Sequence, residues 1–306
     1  MYRSFRSPGT PGAGGVLFAR VFRRIAAAAL ALCCMSVSQF AMATDSTVQL
    51  PAPVVNGSVW KPRPYLRWQL QFATTPIDVD IDADVFKIDL FDNDESVVSD
   101  LKDRGKHVVC YVNAGAWEDW RPDAKSFPKA VMGRRYGGWP GERWLDVRRI
   151  DLLAPVLLAR LDLCRDKGFH GVMFDNVDGY MQKTGFPISS ADQLRFNAWI
   201  ANEARSRGLA AGINNNAEQA SQLMPYYDWA LAESCFSQGW CARLKSFAEE
   251  GKAVVVIEYT DDQRRLNSMC EAALALRFTL LAKKRELDAY RKDCSVPARR
   301  AAVGSR

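Results

Sequence analysis

The chain of 306 residues is 25% charged and 48% hydrophobic, with 20 glycines and 14 prolines. That composition is globular and excludes fibrous, low-complexity and disordered classes. Its net charge of +6 is misleading: five arginines (Arg3, Arg6, Arg20, Arg23 and Arg24) fall in residues 1–43 without one acid, leaving the rest near neutral. A near-neutral body lacks the basic stripe that phosphate contacts need, so a nucleic-acid partner is not expected.

Taken in chain order, residues 25–43 are a short apolar run behind those arginines, ending in the small-x-small triplet Ala41-Met42-Ala43. This predicts a signal peptide over residues 1–43, cleaved near Ala43, and a secreted or periplasmic mature protein free of the membrane. Six cysteines remain after it: Cys110, Cys164, Cys235, Cys241, Cys270 and Cys294. An even count in an oxidising compartment favours disulfides. Cys235–Cys241, close in sequence, and Cys270–Cys294, tying down the C-terminus, are the simplest pairs. Cys110 and Cys164 read equally well as buried thiols. No Cys-x-x-Cys is present to suggest zinc or thioredoxin-like chemistry.

Residues 44–59 are polar and proline-marked and are expected to form a linker or arm; 295–306 are expected to be a flexible tail. Between them, over 60–294, the chain keeps one rhythm. Apolar, β-branched runs stand at 68–72, 84–91, 107–113, 171–175, 208–213, 229–233 and 253–259, with weaker ones at 143–147 and 276–281. Helical patterns close at Gly105, Gly168, Gly208 and Gly251, each just before a strand, and Ser190 with Gln193 reads as a capping box. Helix–glycine–strand units with continuous apolar strands predict a parallel α/β fold. No Gly-x-Gly-x-x-Gly follows the first strand, so a single-domain (β/α)8 TIM barrel, typically roughly 250 residues, is favoured over a Rossmann sheet. Nine strand candidates compete for eight places, so either 143–147 or 276–281 lies outside the barrel.

Barrel chemistry collects at the C-terminal ends of strands, and those ends are acidic here. One reads Ile88-Asp89-Leu90-Phe91-Asp92; another leads through Tyr111, Asn113 and Gly115 to Trp117-Glu118. Phe174 runs into Asp175-Asn176-Val177-Asp178-Gly179-Tyr180, Ala232 into Glu233, and Ile257 into Glu258-Tyr259. A carboxylate directly after an apolar strand is costly to desolvate unless partnered, and helix capping does not readily account for four such strands. Glycoside cleavage needs two facing carboxylates, one to protonate the leaving oxygen and one to attack or activate water. Asp175 and Glu233, the most abrupt interruptions, are the expected catalytic pair. Asp89, Asp178 and Glu258 are expected to bind substrate, although a buried structural hydrogen bond accounts equally well for Asp89 or Glu258 alone. Asn113, Glu118, Asn176 and Asn214, and the rings of Trp68, Tyr111, Tyr180 and Tyr259, which suit sugar faces, are expected to bind substrate as well. The only histidines, His107 and His170, begin strands, which argues against a histidine metal site or a Ser-His-Asp triad. The 175–179 segment fails the EF-hand spacing, so no metal or cofactor is expected.

These residues resemble a known family, the endo-α-1,4-polygalactosaminidases of glycoside hydrolase family 114. The likeness runs from Trp60 to Cys294. It is carried by Trp-Gln-Leu-Gln at 68–71, Ile88-Asp89-Leu90-Phe91-Asp92, Cys110 to Glu118, Trp120-Arg121-Pro122-Asp123, Gly138 to Asp146, Asp175 to Tyr180, Glu233-Ser234-Cys235-Phe236 and Ile257-Glu258-Tyr259. The resemblance implies a TIM barrel and endo-cleavage of α-1,4-linked, galactosamine-containing polysaccharide of the kind found in biofilm matrices. It also implies Asp175 and Glu233 as the catalytic pair, with Asp175 as nucleophile or base and Glu233 as acid. Such a polymer is cationic when deacetylated, and it suits an acidic cleft. The polysaccharide is the only expected partner, and the protein is expected to act as a monomer. Where the family tends to read Gly-Leu-Lys-Asn the chain has Gly212-Ile213-Asn214-Asn215, losing a lysine; His170 and Arg205 also depart. Two other readings stand beside the hydrolase: a non-catalytic barrel that only holds a cationic polymer, and a hydrolase of another amino sugar or α-galactoside.

Overall fold

The computed structural model describes residues 48–72 and 76–294, so the expected signal segment and C-terminal tail lie outside the described residues. Its first elements are β1 (Trp68–Gln71), β2 (Val85–Asp89), α1 (Glu95–Asp103), β3 (His107–Asn113), β4 (Ala116–Glu118), β5 (Met132–Arg135) and β6 (Glu142–Leu145). Next come α2 (Ile150–Asp166), β7 (Gly171–Asp175), α3 (Ser190–Ser206), β8 (Ala210–Asn214), α4 (Ala220–Leu223) and β9 (Trp229–Glu233). The last are α5 (Cys235–Gln238), α6 (Lys245–Glu249), β10 (Ala253–Glu258), α7 (Gln263–Ala275), β11 (Thr279–Ala282) and β12 (Lys292–Asp293).

Eight strands pair in parallel in the order β1-β2-β3-β7-β8-β9-β10-β11, and the fold is a (β/α)8 barrel. The short β12 adds antiparallel to β11. Among the described residues no ladder joins β1 to β11. That seam is stitched by other bonds: Lys283 Nζ donates to Gln69 Oε1 at 3.2 Å and to the Asp288 carbonyl at 2.7 Å, and the Phe72 amide donates to the Leu287 carbonyl at 2.9 Å.

Of the two weaker strand candidates, 276–281 supplies the eighth barrel strand, β11. The other supplies β6, the centre of a separate antiparallel sheet ordered β4-β6-β5. Its Leu145 is fully buried in the core outside the barrel, while Trp144, on the other face, packs against Tyr136 with ring centroids 4.8 Å apart.

Strand periodicity sorts the side chains into two cores. Phe86, Ile88, Cys110, Val172, Phe174, Ala230, Val254 and Val256 face the helices. Val85, Val109, Met173, Trp229, Leu231, Val255 and Ile257 fill the barrel interior. The four glycines that close helices adopt φ of +74° (Gly105), +81° (Gly168), +77° (Gly208) and +72° (Gly251), the left-handed stop that only glycine takes without strain.

Helix α3 is capped one residue earlier than the spacing predicts. The Ser189 hydroxyl accepts the Asp192 amide at 3.1 Å, and Asp192 accepts the Ser189 amide at 3.0 Å. Ser190 is instead engaged by Gln219, and Gln193 is fully buried on the inner face against Asn197. All six cysteines are paired. Cys235–Cys241 and Cys270–Cys294 form as the spacing suggests, and Cys110 on β3 bonds Cys164 on α2, with Cα atoms 6.0 Å apart. The described part of the 44–59 arm lies along α3, where Asn202 bonds the backbone of Val54 and Ala52.

Candidate active site

The same alternation that fills the barrel with apolar side chains carries a different set to its C-terminal rim. Inward positions continue from Val85 to Lys87 and Asp89, from Val109 to Tyr111 and Asn113, from Met173 to Asp175, and from Leu231 to Glu233. Over this rim opens a cleft of about 780 Å³, continuous with a smaller limb of about 420 Å³. Directly after Asp175, Asn214 and Glu233 the backbone turns left-handed, with φ of 58° at Asn176, 55° at Asn215 and 58° at Ser234. Asparagine tolerates that region best among non-glycine residues. The turn sends the chain off while leaving the preceding side chain over the barrel.

Asp175 and Glu233 stand two strands apart, and Asn214 on the strand between them bonds both. Its Nδ2 donates to Asp175 Oδ1 at 2.7 Å and to Glu233 Oε1 at 3.4 Å. Each carboxylate also accepts a phenol: Tyr111 donates to Asp175 Oδ2 and Tyr259 to Glu233 Oε2, both at 2.9 Å. The Asn176 amide adds a third bond to Asp175 at 2.8 Å. Burial, reinforced by the facing carboxylates, raises both tyrosines well above the ordinary phenol range, so they stay donors.

Beneath the pair lies Lys87, 1% exposed, its ammonium 5.1 Å from the Tyr111 ring and 5.4 Å from that of Phe72. Burial lowers its pKa, against the pull of Glu233 and Asp175. On one wall Arg121 forks between two acids, with both bonds to Asp89 at 2.7 Å and those to Glu118 at 2.9 and 3.0 Å. Glu142 is the cross-strand partner of Glu118 in the flanking sheet, and its carboxylate makes no ion pair among the described residues. Its one bond is from Asn113 Nδ2 at 3.5 Å, and burial, then Glu118 and Asp175, push its carboxyl up to about 7. Asp178 is likewise raised, chiefly by burial. Eight carboxylates line the larger limb against three cations, and Trp120 and Trp139 stand exposed on it.

The cleft thus gathers Asp89, Tyr111, Glu118, Asn176, Asp178, Asn214 and Tyr259 around Asp175 and Glu233. Four expected substrate contacts lie elsewhere. Trp68 points inward but at the start of its strand, so it packs low in the barrel against Trp229; Phe72 is the ring of that segment that reaches the cleft. Glu258 follows the inward Ile257 and so faces outward, where it accepts the Phe236 and Ser237 amides at the start of α5. Asn113 is buried below the rim, holding the Ala116 amide at 2.9 Å and the Asn176 side chain at 3.1 Å. Tyr180 packs against the helix-side core.

Sequence reasoning missed Lys87, Glu142 and Arg285. Lysine in the middle of a buried strand was a usable signal for the first. Glu142 sits in the Gly138–Asp146 segment but on a strand outside the barrel, where strand-end logic does not look.

A barrel with an acidic rim cleft, two carboxylates tied to one amide and aromatic platforms beside them is the architecture of a glycoside hydrolase. The chain belongs to glycoside-hydrolase family GH114, which matches residues 50–298. It is similar to Ega3 of Aspergillus fumigatus, solved in complex with galactosamine: 31% identical, TM-score 0.76, covering 80% of this chain and 100% of that one. The glycoside hydrolase domain of PelA from Pseudomonas aeruginosa shares the fold at 15% identity and TM-score 0.60, over 75% of this chain and 98% of that one. An uncharacterized protein of Deinococcus radiodurans is 24% identical over 208 residues; the match covers 60% of this chain and 66% of that protein's length. Among the described residues no helix is long and apolar enough to cross a membrane.

Proposed function

We propose that this chain is an exported endo-hydrolase of α-1,4-linked, galactosamine-containing polysaccharide. The observation that carries the reading is the convergence of Asp175 and Glu233 on Asn214 in a cleft where carboxylates outnumber cations. A polymer bearing free amines is cationic and is drawn to such a cleft. The likeness to Ega3, which binds galactosamine, supports the same sugar. A groove that runs past the carboxylates into a second limb suits attack within a chain rather than at its end.

In this reading Glu233 gives its proton to the glycosidic oxygen as the bond to the anomeric carbon breaks. Asp175, fixed by three donors, acts on that carbon as nucleophile or as base for a water molecule. Asn214 holds the two acids in register, and the phenols of Tyr111 and Tyr259 orient them. Disulfide formation and the predicted signal segment support export.

The test is product sizing by mass spectrometry after incubation of partially deacetylated α-1,4-galactosaminan with the mature protein and its Glu233→Gln variant. Short oligosaccharides from the wild type alone are expected. Retained polymer binding without products would replace the hydrolase with a binding barrel. Faster cleavage of a neutral α-galactoside polymer would move the substrate, and equal products from both proteins would remove Glu233 from the chemistry.

A further inference from the structure

The two limbs of the cleft are unequal in a way that gives the bound polymer a direction. Asp175 lines only the larger limb, whereas Glu233 lines both. The group that acts on the anomeric carbon must sit beside the sugar that carries it. The acid sits at the bond itself and touches both sides. The larger limb therefore holds the non-reducing side of the chain and the smaller limb the reducing side, which leaves first.

Charge divides along the same line. The larger limb has six carboxylates of its own against Lys87 and Arg121, and Arg121 is already committed to Asp89 and Glu118. The smaller limb has only Glu218 and Arg243 of its own, and these pair with each other. Its remaining surface is Trp240, half-exposed Met181 and small polar residues. Arg285, shared by both limbs, lies 4.8 Å over the Tyr259 ring. One limb, with eight carboxylates against three cations, can bind ammonium groups; the other, where Asp178, Glu218 and Glu233 face Arg243 and Arg285, is nearly balanced and offers stacking surface.

We propose that the enzyme cuts a mixed polymer at a preferred junction, holding free galactosamine units in the larger limb and uncharged units, N-acetylated or plain galactose, in the smaller one. This rests on the hydrolase reading above. The test digests partially N-acetylated α-1,4-galactosamine oligosaccharides in heavy-oxygen water and sequences the products by tandem mass spectrometry. The incoming oxygen marks new reducing ends, which come from the larger limb. Free amines should be enriched at marked ends over new non-reducing ends by about fivefold, the effect of roughly one partly exposed ion pair. Arg243→Glu, at an exposed position, should raise the share of free amine at new non-reducing ends and leave the marked ends unchanged. Cleavage with no bias, or with the bias reversed, overturns the directional assignment while leaving the hydrolase intact. An Arg243→Glu product pattern identical to wild type removes the charge argument. No cleavage of any galactosamine polymer ends both readings together.

Discussion

A single amide holds the two rim carboxylates of the cleft together, so the spacing of Asp175 and Glu233 depends on Asn214. Asn214→Ala should lower kcat by about 100-fold, the usual cost of losing one preorganised donor, with little change in Tm. Steady-state kinetics paired with thermal melts checks this. Glu142 makes a second prediction at this scale. Its carboxyl is held at about 7 against an ordinary 4.5, so the folded chain keeps a proton that the unfolded chain releases between those values. Stability should therefore fall as pH rises from about 4.5 to 7, by at most roughly 3 kcal/mol. Glu142→Gln should remove that contribution to the decline, so the melting temperature of the variant should rise relative to that of the wild type between pH 5 and pH 8. The residues legible from sequence were those that break an apolar run at its end, such as Asp175 and Glu233. Lys87 breaks one in the middle, and Glu142 stands on no barrel strand; neither is adjacent in sequence to what it faces.

At the scale of elements, side-chain parity and backbone turns decide what reaches the cleft. Glu258 reads like Glu233 in sequence, yet its parity points it at α5, where it satisfies amides and leaves the cleft to Tyr259. The strand pattern identified seven barrel strands but could not rank 143–147 against 276–281, because a strand packed on the barrel's flank is as apolar on one face as a strand within it. The loop after β3 carries a tighter constraint. A Cβ on Gly115 would lie 1.7 Å from the Asn176 carbonyl oxygen, on the turn that follows Asp175. Gly115→Ala should force the two loops apart, cost several kcal/mol (about 2–4) and abolish activity; denaturant unfolding and an activity assay measure both. The capping box slipped by one residue for a related reason. Ser189-Ser190 and Asp192-Gln193 offer two registers, and only burial of Gln193 on the inner face of α3 chooses between them.

The described residues combine a barrel, a flanking three-stranded sheet and three cross-links. Cys110–Cys164 joins a barrel strand to the helix outside it across a sequence separation of 54, the longest of the three. In the chain-entropy account such a link contributes about 4 kcal/mol, so replacing both cysteines by alanine should lower Tm by several degrees in a calorimetric scan. The pairing of Cys110 with Cys164 was not legible, since nothing local in sequence tells that an outward strand position meets one turn of a helix more than fifty residues on.

The stitched seam between the first and last barrel strands has a consequence for how the fold is reached. Every other ladder of the barrel joins strands consecutive in the parallel sheet's own sequence order, so the sheet can grow by adding neighbours as the chain emerges. Closing the ring must wait for the bond between Gln69 and Lys283, 214 positions apart, which makes it a late event with the largest loop-closure cost. Until then two strand edges stand open, and open parallel edges are templates for pairing with other chains. A nascent copy lacking its last helix and strand is therefore the form of this protein most exposed to aggregation. The antiparallel β12, fastened by Cys270–Cys294, helps to lock that edge once it has formed.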